Sequence, residues 1–462
     1  MKTLTLIFLL ALSNTVFAAV PARYVITDQG AIGNGTNVNT PAIQSAIDRC
    51  AARGGGVVVI PRGTFLSGAL YFKQGVNLLV EKGAVLKSTT NMLDFPPIYT
   101  RWEGIERYWT SAFLNFVGMT NVTVSGEGLI DGSGTAFSRG RGAGRGATNS
   151  VAPQTSVSTF VYSTPAPTTA TLNLLKTATN LPLVNAAGIL LPRGGGGGGL
   201  APPRLMVFQN CSNIQVSGLR VLDQARWGVV FIYSEEVLAE NLDVRNPQHN
   251  IPSSDCMDID SCRRVRVTGC YFEGNDDCIS IKSGKDEDGL RVNRPCEDIL
   301  IEKSHFAFGH GGVAMGSEVS GGIRRVLVRD CVVENNWAPI RFKSQPSRGG
   351  VVEDIEYRNL ELRNTRSAVE FELAWRMVPP IAPPAEVLTQ VRNVRLVKIT
   401  GTVNSVGMIH GLPGSPVSGV KFEDCHLIAQ RGLVLDNTRD IDTAGLKLEV
   451  QTGEPIVERN TP

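Results

Sequence analysis

Arg264-Val265-Arg266-Val267, Asp298-Ile299-Leu300-Ile301, Arg325-Val326-Leu327-Val328, Asp354-Ile355-Glu356-Tyr357, Asn393-Val394-Arg395-Leu396 and Gly419-Val420-Lys421-Phe422 are variants of one phrase: a polar residue or glycine, then an alternating strand. Their apolar starts at 265, 299, 326, 355, 394 and 420 lie 26 to 39 residues apart. Self-similarity at such a period marks a solenoid, in which each repeat buries its apolar face against its neighbours. Period-two alternation buries one face of each strand and wets the other. Each interval holds one coil of three short strands joined by loops of variable length. Earlier copies, Asn77-Leu78-Leu79-Val80, Asn121-Val122-Thr123-Val124 and Asn213-Ile214-Gln215-Val216, carry the array toward the N-terminus. Frequent Gly, Asn and β-branched residues exclude a helical reading. The prediction is an all-β solenoid.

In front of it, Thr40 to Ala52 reads as one amphipathic helix, with Thr40 as N-cap, Pro41 in the first turn and Gly54 past its end. Ala42, Ile43, Ala46, Ile47 and Cys50 form its apolar face, suited to covering the open end of the solenoid. Nine cysteines in one chain invite a disulfide framework. Yet Cys270, Cys331 and Cys425 each follow a strand start by five residues, where Leu219, Leu360 and Ile399 stand in other coils. Interchange with Leu and Ile predicts an inward apolar stack for these three. Cys50, Cys211, Cys256, Cys262, Cys278 and Cys296 stay open, and no pair has zinc-finger spacing with matching histidines.

Residues 1–18 run from Lys2 through an apolar stretch to Val16-Phe17-Ala18, the layout of a cleaved secretory signal and shorter than a bilayer span. A secreted or periplasmic protein is expected, with no membrane span after cleavage. Residues 19–462 then form one catalytic solenoid domain, interrupted at about 133–203 by a Gly-, Arg-, Ser- and Pro-rich insertion of loop composition. A formal net charge of +2 excludes binding of nucleic acid or a polyanion by bulk attraction. Cations for an anionic substrate must be local.

Four clusters supply them. Ser253-Ser254-Asp255-Cys256, Gly274-Asn275-Asp276-Asp277-Cys278, Gly309-His310-Gly311 and Arg341-Phe342-Lys343 follow one another in successive repeats. Hydrolysing a glycosidic bond with inversion requires one carboxylic acid to protonate the departing oxygen and another to activate water, the carboxyls about 6.5–9.5 Å apart. Stacked coils, about 4.8 Å apart, can place Asp255 and Asp276-Asp277 at that range. Crowding three carboxylates predicts that at least one keeps a proton. Taken singly, these aspartates also read as turn residues, and together as a calcium site. His310, Arg341 and Lys343 weigh against calcium. Arg341 and Lys343 alternate by two, so on a strand both point one way and can clamp a carboxylate.

With these clusters the chain resembles the polygalacturonase-like glycoside hydrolases, family twenty-eight, over nearly its whole length. The resemblance begins at Asp28-Gln29-Gly30-Ala31-Ile32-Gly33-Asn34-Gly35 and ends near Gly453. It implies a right-handed parallel β-helix acting on galacturonate-containing pectic poly- or oligosaccharide, with no metal or organic cofactor and with inversion; a monomer is the expectation for the chain. It further implies Asp276 as general acid, Asp255 and Asp277 as the pair activating water, His310 as support for the acid and substrate, and Arg341 and Lys343 as ligands of the uronate carboxylate. Ser253-Ser254 departs from the family's Asn-Thr, and Cys256 stands where Gly is usual. The long interval from Asp277 to His310 predicts a protruding loop at Gly284 to Pro295, which favours exo-action. A pectate-lyase-like β-helix and a non-catalytic carbohydrate-binding β-helix are the alternatives.

Overall fold

A computed structural model describes residues 21–139, 201–375 and 382–460. The chain winds as a right-handed parallel β-helix whose coils carry three strand faces. On the first face Met206, Val229, Met257, Ile279, Val313, Ile340 and Val369 stack in register. The second stacks Ile214, Val237, Val265, Ile299, Val326, Ile355, Val394 and Val420. The third stacks Val221, Val244, Phe272, Phe306, Val333 and Leu362.

The second ladder is the repeated phrase of the sequence. It contains one further coil, Glu235–Glu240, whose Ala239 weakens the alternation and hides it. The polar residue that opens each phrase has left-handed backbone: φ is 51° at Asn213, 59° at Asp298, 57° at Asp354 and 53° at Asn393. Asn and Asp enter that region more readily than other side chains, which is why they punctuate the repeat. Inside, aromatic rings stack coil on coil, with centroids 4.5 Å apart for Phe116 and Phe208 and 4.0 Å for Phe342 and Phe371. All nine cysteines are buried and unbridged. Cys331 lies in register with Leu360 and through it with Ile399, as the interchange of residue types predicts.

The helix spans Thr40–Ala52 and buries Ile43, Ala46, Ile47 and Cys50 over the first coil. Thr40 is not its cap. Asn39 takes that position without a side-chain bond, and Thr40 Oγ1 instead accepts the Gly68 N–H at 2.8 Å. Gly284 to Pro295 does not simply protrude either, because Asp286–Val292 folds as a helix. Asp286, Glu287 and Asp288 in its first turn complement the helix dipole. Its anchors come from distant sequence: the Asp288 carboxylate accepts the Glu106 N–H at 3.1 Å, and Asp286 pairs with Arg348. Glu106 belongs to an antiparallel hairpin, Pro97–Trp102 with Ile105–Thr110, set against the first face.

The expected signal segment, 1–18, lies outside the described residues. So does most of the 133–203 insertion, whose flanks show a helix at Gly134–Arg139 and buried residues at 201–203. Among the described residues no helix is long and apolar enough to cross a membrane.

Candidate active site

Where the chain turns from the third face onto the first, the four clusters come together. Cys256 N–H donates to the Asp277 carbonyl at 3.1 Å, Cys278 N–H to that of Gly311 at 2.8 Å, and His310 N–H to that of Asp276 at 3.0 Å. Asp255, Asp277 and Gly311 thus hold one place in three successive coils, and Asp276 and His310 share the preceding one. Space explains the glycines around His310. A Cβ on Gly311 would stand 2.6 Å from Asp277 Oδ1, and one on Gly309 would stand 2.8 Å from Cys278 Sγ.

One oxygen from each of Asp255, Asp276 and Asp277 lies within 4.8 Å of the others. Adding a C–O bond of about 1.2 Å at each end bounds the carboxyl carbons to within roughly 7.3 Å. That span admits both the inverting range of about 6.5–9.5 Å and the retaining range of about 5–5.5 Å. The three carboxyls are not equivalent. Asp276 is the one open to solvent, its side chain 27% exposed, with Oδ1 3.5 Å from His310 Nδ1 and accepting the Asp277 N–H at 3.0 Å. Asp277 is fully buried; Lys343 Nζ lies 2.5 Å from its Oδ2 and Arg341 Nη1 3.3 Å from its Oδ1. Burial alone would raise the Asp277 pKa, but the charges of Lys343 and then Arg341 hold it well below the usual carboxylate range. Asp255 goes the other way: burial, then the neighbouring Asp276 charge, pushes it up to about 8. Asp277 is therefore the member most strongly held as an anion, and Asp255 the member whose surroundings most favour keeping a proton.

Arg341 and Lys343 face outward together, as alternation predicts, while Ile340 and Phe342 are buried in the core. They are not free cations. Both pair with Asp277, and Arg341 Nη2 also lies 3.0 Å from Glu370 Oε1. Any substrate carboxylate they bind shares them with Asp277.

Sequence reasoning missed Ser280 and Lys282, although they alternate after Asp277-Cys278-Ile279 just as Arg341 and Lys343 do. Ser280 Oγ stands 2.9 Å from Asp277 Oδ2 and 3.1 Å from Asp255 Oδ2. Its single hydroxyl proton can go to Asp277 while it accepts one from Asp255. Lys282 Nζ lies 3.0 Å from Glu318 Oε2, 3.7 Å from Asp258 Oδ1 and 4.0 Å from Asp255 Oδ2, over the Trp227 ring. Lys343 Nζ lies 5.2 Å from the centroid of Trp375. Neither aromatic has a local sequence signal.

Residues 196–442 match the family described as Glycosyl hydrolases family 28. A probable polygalacturonase of Vitis vinifera is 25% identical over 431 residues, 90% of this chain and 77% of the relative. An exo-poly-alpha-D-galacturonosidase of Dickeya chrysanthemi is 27% identical over 363 residues; the match takes in 76% of this chain but only 57% of that longer relative. The crystal structure of a hyperthermoactive exopolygalacturonase from Thermotoga maritima superposes with a TM-score of 0.73 at 25% identity, over 91% of this chain and 92% of the other. With four motif clusters gathered at one corner of a parallel β-helix, and with more than half of the sequence matched, the chain belongs to the glycosyl hydrolases of family 28 and is a glycosidase.

Proposed function

We propose that the protein hydrolyses galacturonate-containing pectic chains, with Asp276 as acid and Asp255 with Asp277 as the pair that takes the proton of the attacking water. The observation that carries this is the asymmetry of the carboxyl cluster. The exposed member can reach a glycosidic oxygen, and the two buried members are set apart by Lys343 and Arg341 on one side and by burial on the other. When substrate arrives, the shared proton moves from Asp255 to Asp276, which passes it to the leaving oxygen. Ionised Asp255 and Asp277 accept a proton from water as its oxygen bonds the anomeric carbon with inversion. His310, 3.5 Å from Asp276, holds the acid in place. Arg341 and Lys343 also bind the uronate carboxylate.

Exo-action is part of the proposal. The hairpin is fastened beside Lys282 through Arg101, whose Nη1 donates to Asp260 at 3.0 Å and to Ser261 Oγ at 2.7 Å. It is braced by Arg291, 2.8 Å from Glu106. Held in that position beside the Asp255 and Lys282 cluster, the hairpin walls one side of the site, and a wall that closes one end of it admits a chain end and not a chain middle. The similarity to a relative named as an exo-galacturonosidase agrees. Export through the signal at 1–18 would bring the enzyme to its polymer.

The three carboxylates also suit a calcium ion, the basis of an eliminating reaction. Both Asp277 oxygens already face a cation, which opposes that reading. Activity is expected to persist in excess chelator, with new reducing ends, no rise in ultraviolet absorbance, and the inverted anomer as first product by proton NMR. Activity lost on chelation, with unsaturated products in the absence of chelator, would move the three aspartates into a metal site.

A second expectation concerns pH. Turnover needs one proton on the cluster, and the Asp255 carboxyl holds it below about pH 8 and releases it above. kcat/KM, which reports the free enzyme, should therefore fall as pH rises through about 8, an apparent value belonging to the cluster as a whole. An alkaline limb near the ordinary carboxylate value of about 4 would show that Asp255 does not hold the shared proton.

A further inference from the structure

Asp276, His310, Trp337 and Arg366 occupy the same place in four successive coils. Ile279, Val313, Ile340 and Val369 pair in register, and each of the four follows from that register by counting three residues back. His310 stacks on Trp337 with centroids 4.0 Å apart and planes at 30°, and the Arg366 guanidinium carbon lies 5.4 Å from the Trp337 centroid. Trp337 is 43% exposed, so packing against the core does not explain it. Arg366 is exposed and forms no ion pair among the described residues, unlike Arg341, which is held by Asp277 and Glu370. The neighbouring outward row turns acidic at Glu370 and Glu372, which pair with Arg341 and His410. The corner leaving Asp276 carries no such acid: there an imidazole, an indole and an unneutralised guanidinium follow one another. At about 4.8 Å per coil, Arg366 stands roughly 14 Å from Asp276, beyond the sugar whose bond is cleaved.

We infer that Trp337 and Arg366 form a binding subsite for a further uronate of the substrate chain, on the side of His310 away from Asp276. The inference rests on the pectic reading above and adds a length preference to it. Aromatic edge and guanidinium together suit a sugar bearing a carboxylate.

The test uses saturated oligogalacturonates of two to five units, binding to the Asp276→Asn protein by calorimetry, and kcat/KM of the active protein. Arg366→Ala should weaken binding of the longer oligomers about tenfold, the loss of one charge-assisted bond, while the dimer changes less than about twofold. Trp337→Phe keeps a ring on His310 but removes the N–H, and should cost a smaller factor with the same length dependence. At saturation kcat should be unchanged in Arg366→Ala, and its binding defect should shrink in about 1 M salt, where screening is short-ranged. Equal dissociation constants for wild-type and Arg366→Ala backgrounds at every length would overturn the subsite. If the Asp276→Asn protein binds the oligomers with this Arg366 dependence but the active protein cleaves none of them, the hydrolytic reading falls and the subsite stands. If no oligomer binds at all, both fall.

Discussion

Asp276→Asn is expected to lower kcat on oligogalacturonate by about a hundredfold to ten-thousandfold, the usual contribution of a positioned general acid, and to leave the fold unchanged. The amide keeps the shape and still accepts the Asp277 N–H, the bond now made to Asp276 Oδ1 at 3.0 Å. It cannot carry a proton to the leaving oxygen. A substrate with an activated leaving group needs no such proton, so on it the variant should regain much of its rate, which a merely structural defect would not allow. Asp277→Asn should be as inactive for a different reason. It strips the counter-charge from Lys343 and Arg341, both nearly buried, and so should also lower the melting temperature. If both variants kept more than about a tenth of wild-type activity, the assignment of the cluster would be wrong.

Lys343→Met has the largest expected effect on stability. From alternation alone Lys343 is a substrate ligand whose loss weakens binding and little else. In the structure its ammonium, 6% exposed, sits 2.5 Å from a carboxylate with no exposure at all. Removing one partner of a buried pair costs up to about 3–5 kcal/mol, and because Arg341, 3.3 Å from the other Asp277 oxygen, remains, the loss falls toward the lower end of that range. Denaturant unfolding of Lys343→Met should show a loss of that order. The double variant Lys343→Met with Asp277→Asn should recover part of it, because neither charge is then stranded. A loss below about 1 kcal/mol with no coupling between the two sites would mean that Lys343 belongs to the substrate and not to Asp277. Binding of uronate should fall in either case, so stability is the discriminating measurement.

The parts of the molecule legible in sequence are those governed by local chemistry. Strand faces follow from period-two alternation, and the coil corners from residues that tolerate left-handed backbone, such as Asn213 and Asp354. Three of the nine buried cysteines, Cys270, Cys331 and Cys425, show themselves because Cys, Leu and Ile exchange at one place in the repeat, as at Cys331, Leu360 and Ile399. The helix bounds match because Pro41 and Gly54 punctuate them, whereas Thr40 fails as a cap because Gly68, distant in sequence, takes its hydroxyl.

The chain by itself thus determined the solenoid, the buried stack, the capping helix and the identity of six polar residues that the fold brings together. Only the tertiary structure decided who stands beside whom. Asp276 to His310, His310 to Trp337 and Trp337 to Arg366 are steps of unequal length in sequence, because each coil carries a different loop, yet in space each is one ladder spacing. Stacking of each coil's buried row, Ile279 on Val313 on Ile340 on Val369, sets that register whatever the loop length between coils. It puts Lys343 on Asp277, buries Asp255 beside Asp276 so that its pKa rises, and brings the hairpin at 97–110 against the helix at 286–292. Charge interactions in a buried cluster depend on distances of a few ångströms, which no residue spacing in this sequence specifies, so the elements of the site could be read there but not their division of labour.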